Sequence, residues 1–195
     1  MLIPVKSFAR AKLRLAPVLD PGQRAGLARA MATEVVRAAA PLDVWCVCDD
    51  PEVRNWALST GARVEWTPDR RLNGAISTAV RRRGADGARR VVIAHGDLPF
   101  AAALADFADA ADDEVLAVPD RHGRGTNVLS LPTGADFSFS YGEGSFELHR
   151  VEADRRGLQW RVVNREHLQW DVDSPEDLSP PPRLGSLPFA IGTIS

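Results

Sequence analysis

Residues 89–99 read RRVVIAHGDLP, and this stretch decides the fold class. After two arginines come four apolar residues, three of them β-branched, a run short enough for a buried strand at 89–94. Glycine and proline then punctuate HGDLP, and the Ala-rich segment beyond predicts a helix near 99–111. A strand that leaves through a turn into a helix is the repeating unit of an α/β layer fold.

The same alternation extends in both directions. Residues 1–5 (MLIPV) read as a first strand, followed by the loop KSFARAKLRLAPVL. Asp20-Pro21-Gly22-Gln23 combines a capping acid, proline at the first helical position and glutamine at the third, which predicts a helix start. DVWCVC (43–48) reads as a strand, Asp50-Pro51-Glu52 as a helix start, and ARVEW (62–66) as a strand. A helix follows from about Asn73 to Arg83. Downstream, VLAVP (115–119) and NVLSLP (127–132) flank the turn DRHGRGT. A loop rich in Ser and Phe then leads through YGEGS into a helix ending near Arg156. LQWRVV (158–163) reads as a late strand, and LQWDVD leads into a capping box at Ser174-Pro175-Glu176-Asp177. One domain over 1–178 is expected, with a Pro-rich C-terminal tail, an arm or frayed end, over 179–195.

Composition narrows the function classes. The 195 residues are 45% hydrophobic and 26% charged with a net charge of −2, the balance of a soluble globule. That charge carries no basic footprint for nucleic acid, and no apolar run approaches a bilayer span. The beginning of the chain lacks the apolar core of a signal peptide. A cytoplasmic protein without nucleic-acid or membrane partners is expected. Homo-oligomerisation is compatible with the pattern, which does not read it out. The two cysteines, Cys46 and Cys48, are too close in an extended run to bridge and too few for a zinc site, which predicts buried thiols. Trp45, Trp56, Trp66, Trp160 and Trp170 are spread along the chain, as core residues are.

In an open α/β sheet, ligands collect beyond the carboxyl ends of the strands. Asp97 lies there, although an aspartate can equally cap the following helix. Asp171 and Asp173 stand at i and i+2 in an extended segment, so their carboxylates face one side. Two such charges repel unless a cation lies between them, and hard carboxylate oxygens suit Mg²⁺; a solvated acidic turn is the plain alternative. The only two lysines among 24 basic residues, Lys6 and Lys12, share the loop after the first strand with Arg10 and Arg14. Ammonium and guanidinium groups together suit a triphosphate, yet the loop has no glycine and is not a Walker A sequence. Ser145, with the free N–H groups of a helix start, offers a place for a small anion. His149, one turn later, either faces the same pocket or packs, and His95 and His122 are equally open.

Taken together, PVKSFARAKLRLAPVL (4–19), LNGAISTAV (72–80), GDLP (96–99), PDRHGRGTNVL (119–129), FSYGEGSFELH (139–149) and WDVDSPEDL (170–178) resemble, in this order, the guanylyltransferases of coenzyme F420 biosynthesis. These act on 2-phospho-L-lactate or phosphoenolpyruvate. The resemblance covers nearly all of residues 1–178. It implies a GT-A-like nucleotidyltransferase fold with a mixed, mostly parallel sheet between helices. It implies GTP as co-substrate and a pair of Mg²⁺ ions held by Asp97, Asp171 and Asp173. Thr126, Gly142 and Ser145 would hold the acceptor's carboxylate. Lys6, Lys12 and Arg14 would bind the nucleotide's phosphates, with Lys12, Arg14 and Asp97 acting at the reacting centre. Asn73 and Gly74 are expected to touch the nucleotide. Leu13 departs from the serine expected at its position, so backbone N–H groups would replace that hydroxyl. Three alternatives stay open: transfer to 3-phosphoglycerate, transfer of another nucleotide such as CMP, and a nucleotide-binding protein without catalysis.

Overall fold

A computed structural model describes residues 1–189. Seven strands form one sheet in the order β3-β2-β1-β4-β6-β5-β7. They are β1 (Leu2–Pro4), β2 (Trp45–Cys48), β3 (Arg63–Trp66), β4 (Arg90–Ala94), β5 (Glu114–Pro119), β6 (Thr126–Pro132) and β7 (Gln159–Val162). The helices are α1 (Pro21–Ala38), α2 (Pro51–Ser59), α3 (Leu72–Ala85), α4 (Ser145–Arg155) and α5 (Glu166–Gln169). β1 to β4 are mutually parallel, and β7 is parallel to β5. β6 alone runs against its neighbours β4 and β5. The expected mixed, mostly parallel sheet between helices is the one observed.

Alternation along the strands builds the two faces. On β1 and β4, Leu2, Val91 and Ile93 point to one face, where Ile76 and Ala79 of α3 and Ala153 of α4 cover them. Ile3, Val92 and Ala94 point to the other and meet Val35 of α1, Leu98, Leu104 and Phe107. Cys46 and Cys48 are buried against α1 and α2 as free thiols, as expected. Asp20 caps α1 in a reciprocal box with Gln23, and Asp50 caps α2 from the N–H groups of Glu52 and Val53.

The Ala-rich run after β4 does not form the expected helix at 99–111. It is irregular, with a 3-10 turn at Leu104–Ala108 entered from Ala103 at φ 51°. That left-handed residue interrupts any helix, and it drops Leu104 and Phe107 together into the core. Packing has overridden the alanines' helical preference. Two smaller differences follow. α5 is a single turn the sequence reading did not call, and the box after Ser174 opens only a 3-10 turn, Pro175–Leu178.

The Pro-rich segment from residue 179 is irregular, but through Phe189 it is laid on the body rather than held out as an arm. Leu187 and Phe189 pack beside Leu19, Leu27 and Met31, and a Cβ at Gly26 would meet the Phe189 ring at 2.9 Å. The rest of the expected tail, 190–195, lies outside the described residues. No helix among those described is long and apolar enough to cross a membrane.

Candidate active site

The loop after β1 is held at two points. Phe8 is buried against the edge of Trp56, with centroids 5.3 Å apart, and Leu15 is fully buried beside Leu27. Between these anchors Lys12 adopts the left-handed conformation, φ 53°. A lysine pays strain there, and such residues concentrate at working sites. The kink aims its ammonium inward, where Nζ donates to Asp97 Oδ2 at 2.7 Å and Asp173 Oδ1 at 2.8 Å. Only 10% of the Lys12 side chain remains exposed. Burial alone would lower its pKa, but the Asp97 and Asp173 carboxylates outweigh that and hold it above the ordinary lysine range.

Four hydrogen bonds from backbone N–H groups, two to carbonyls and two to a carboxylate, explain how distant segments reach this lysine. The Val172 N–H donates to Asp97 O (3.3 Å), and His95 N–H to Asn127 O (3.0 Å). The Asp177 carboxylate accepts from the N–H groups of Asp173 and Ser174, each at 2.7 Å. Asp177 is itself paired with Arg121, whose guanidinium lies 4.4 Å over the Trp170 ring. The Asn127 amide donates to Leu168 O and, at 3.5 Å, to Asp171 Oδ1. The ends of β4 and β6 and the 170–177 segment are thereby laced together.

Asp97, Asp171 and Asp173 line one hollow, with the Lys12 ammonium between Asp97 and Asp173. Among the described residues, no three His, Cys, Asp or Glu side chains form a ready-built metal cage. Their chemistry nevertheless fits a divalent cation. Asp97 Oδ1 is buried without a partner. Burial, then the charges of Asp97 and Asp173, push the Asp171 carboxyl up to about 7. A cluster of hard oxygens short of positive charge is what such an ion requires.

Two hollows meet at Asp97. One, about 440 Å³, lies under the β1 loop and is lined by Lys6, Ser7, Arg10, Lys12, Asp49, His95 and Asp97. The other, about 430 Å³, is lined by Arg14, His95, Asp97, Arg124, Thr126, Gly142, Ser145, Asp171 and Asp173 among others. Both contain His95 and Asp97 in their walls. Lys6 donates to Asp49 Oδ2 (2.9 Å) and Arg70 O (2.7 Å), on the rim of the first hollow. Arg14 is on the other side, exposed and 4.0 Å from Asp173.

The second hollow's far wall is built from glycines and hydroxyls. Gly142 (φ 131°) and Gly144 (φ 71°) bend the chain into the start of α4, a path a β-carbon would strain. Thr126 and Ser145 are both buried, with Ser145 Oγ 3.2 Å from Thr126 Oγ1. The preceding hairpin turn is closed by Asp120, which accepts from the N–H groups of His122, Arg124 and Gly125.

Asn73 and Gly74 are not brought to this place. Both line a separate surface cleft beside Arg70, Ser77 and Phe139. The Asn73 amide is occupied at both ends by the backbone of Tyr141, accepting from its N–H (2.8 Å) and donating to its carbonyl (3.3 Å). The sequence singles out Asp177 only as part of a capping box, and does not single out Asn127, Arg121 and Asp120, which brace the backbone of the site. Only the Asx-turn pattern of DRHGRG could have signalled Asp120.

Similarity to known proteins places the chain in a family. Residues 1–180 match the family described as "Guanylyl transferase CofC like". A phosphoenolpyruvate guanylyltransferase of Chloroflexus aggregans is 35% identical over 191 residues, covering 90% of this chain and 93% of that one. A 2-phospho-L-lactate guanylyltransferase of Methanothermobacter thermautotrophicus is 36% identical over 182 residues, covering 91% and 81%. In fold, the chain is similar to a nucleotide-diphospho-sugar transferase of Desulfovibrio desulfuricans (TM-score 0.72, 18% identity, 91% and 83% covered). It is also similar to a CMP:2-keto-3-deoxy-manno-octonic acid synthetase (TM-score 0.58, 14% identity, 91% and 93% covered). With the motifs in order, the match nearly end to end and the nucleotidyltransferase architecture in place, this chain belongs to the CofC-like guanylyltransferase family.

Proposed function

We propose that this protein transfers GMP from GTP to the phosphate of a small phosphorylated carboxylic acid, phosphoenolpyruvate or 2-phospho-L-lactate, releasing pyrophosphate as in coenzyme F420 biosynthesis. The observation that carries the reading is the pair of hollows joined at Asp97, with Lys12 at the junction. A two-substrate transfer needs one compartment for each reactant and a charged seam between them.

In this reading the triphosphate lies under the β1 loop, with Lys6 and Lys12 neutralising its phosphates. Arg14, on the exposed side, folds across the seam. The acceptor takes the second hollow, its carboxylate against the Thr126 and Ser145 hydroxyls and the Gly142 backbone. An oxygen of the acceptor's phosphate forms a bond to the α-phosphorus. The bond from that phosphorus to the β-phosphate oxygen breaks, and its electron pair leaves with pyrophosphate. A phosphate monoester is already anionic at neutral pH, so the site needs no strong base. That agrees with His95 and His149, both buried and both held below the ordinary histidine range by that burial. Two Mg²⁺ ions held by Asp97, Asp171 and Asp173 would supply charge neutralisation at the phosphates. The protein works in the cytoplasm, where its two thiols stay reduced.

Pyrophosphate release, assayed with Mg²⁺ across ATP, GTP, CTP and UTP and across phosphoenolpyruvate, 2-phospho-L-lactate and 3-phosphoglycerate, tests this reading. Release that requires both GTP and one of the first two acids is expected. Release with another nucleotide or only with 3-phosphoglycerate contradicts the assignment, and no release with any pair leaves a binding protein.

A further inference from the structure

His149 is completely buried on α4, behind the wall that Thr126 and Ser145 present to the second hollow. It is enclosed by Phe137, Phe139 and Tyr141, with the Tyr141 ring edge-on at 4.7 Å between centroids. Its two ring nitrogens are both used. Nε2 lies 3.0 Å from the Ser140 backbone nitrogen, and Nδ1 lies 3.1 Å from Thr126 Oγ1.

The Ser140 contact decides the tautomer. A backbone N–H can only donate, so Nε2 must accept and carry no proton. A neutral imidazole then carries its proton on Nδ1. Burial, with His95 nearby, holds His149 at about 4, which keeps the ring neutral at physiological pH. Nδ1–H therefore donates to Thr126 Oγ1.

The consequence follows from counting protons. Thr126 and Ser145 carry two hydroxyl hydrogens, and neither can be given to His149. One can bridge the 3.2 Å between the hydroxyls. The other has no further acceptor among the described residues, which leaves the hollow that both side chains line. With the opposite tautomer, the threonine hydrogen would be drawn back to the ring and the serine hydrogen could satisfy the threonine, leaving nothing to offer.

We propose that His149 is a positioning residue for the acceptor: its fixed tautomer polarises the Thr126–Ser145 pair so that the wall donates a hydrogen bond and selects an anionic acceptor group. This rests on the guanylyl-transfer reading above. It adds a residue that does not touch substrate, and a reason why the wall favours a carboxylate over an amide N–H, which can only donate.

Three arms test it. In ¹⁵N-labelled wild-type protein, the His149 ring should show a protonated Nδ1 and an unprotonated Nε2; the reverse overturns the proposal, and this arm needs neither activity nor a variant. In kinetics, His149→Leu should raise the acceptor KM about tenfold, the worth of one correctly aimed hydrogen bond, with GTP KM and kcat within twofold. An unchanged acceptor KM, or GTP and acceptor KM rising together, overturns it. His149→Asn, whose amide N–H can replace Nδ1–H, should recover most of the loss, and failure to do so in a protein that melts like wild type also counts against it. If wild-type protein releases no pyrophosphate with any acid, the guanylyl-transfer reading fails instead, and the tautomer measurement still decides this one.

Discussion

Lys12 Nζ lies 2.7 Å from Asp97 Oδ2, although 85 residues separate the two in sequence. The same ammonium reaches Asp173 at 2.8 Å, so it occupies the space between two carboxylates that also suit a divalent cation. Under the proposed function, lysine and metal would compete there until a triphosphate drew the lysine toward its own charge. Lys12→Ala should bind Mn²⁺ more tightly than wild type in the absence of nucleotide, read by electron paramagnetic resonance. The same variant should bind GTP about 10–100-fold more weakly, the loss of one charge-assisted contact. Weaker Mn²⁺ binding in the variant would show that the lysine supports the carboxylates rather than competing for them.

Ser145 and Thr126 face the hollow assigned to the acceptor. Ser145→Ala should raise the acceptor KM about tenfold, one hydrogen bond to a charged group, and leave the GTP KM unchanged. Steady-state kinetics with each substrate varied in turn separates these outcomes, and a change confined to GTP contradicts the placement.

Asn73 grips the backbone of Tyr141 from both sides, so its influence should travel to Gly142 and Ser145, next along the chain. Asn73→Ala is expected to raise the acceptor KM several-fold, about the value of one or two neutral hydrogen bonds, while the affinity for GTP stays within twofold. A selective loss of GTP affinity, measured by calorimetry, would restore the nucleotide contact that the sequence suggested.

Glu152 ties α4 to the loop that precedes it by accepting from the Ser138 N–H at 2.9 Å. The Arg155 guanidinium, helped by Arg156 and Ser138 and opposed by burial, holds its carboxyl down to about 2, against an ordinary glutamate value of 4.5. A depressed folded pKa means that the stabilisation is fully present above about 4.5 and is lost as the pH falls toward 2. Thermal melts between those limits should fall more steeply for wild type than for Glu152→Gln. Parallel slopes would mean that this carboxylate is not linked to folding.

Much of this fold could be read from local pattern. Asp20 and Asp50 cap the helices their positions announced, and the alternation in 89–94 and 115–132 became strands because those residues serve two buried faces. The alanines of 99–111 misled because helix preference is weak, and the site for Leu104 and Phe107 beneath β4 and β5 exists only in the folded sheet. The same division runs through the site. Lys12 and the three aspartates stood out as charge placed at strand ends. Asn127 did not, and His149 stayed ambiguous between pocket and packing, since their work is hydrogen bonding to backbone and hydroxyls that are distant in sequence. Asn73 was noticed for a motif, but its amide faces Tyr141, a partner 68 residues away.

In the proposed reaction, an oxygen of the acceptor's phosphate attacks the α-phosphorus of GTP across the seam at Asp97. Phosphoenolpyruvate or 2-phospho-L-lactate carrying ¹⁸O in its non-bridging phosphate oxygens tests this directly, with products read by ³¹P nuclear magnetic resonance. The account predicts that all the label remains in the new diphosphate product, one atom of it bridging the two phosphorus atoms, and that the pyrophosphate is unlabelled. Label appearing in pyrophosphate, or GDP and orthophosphate forming in its place, would contradict it.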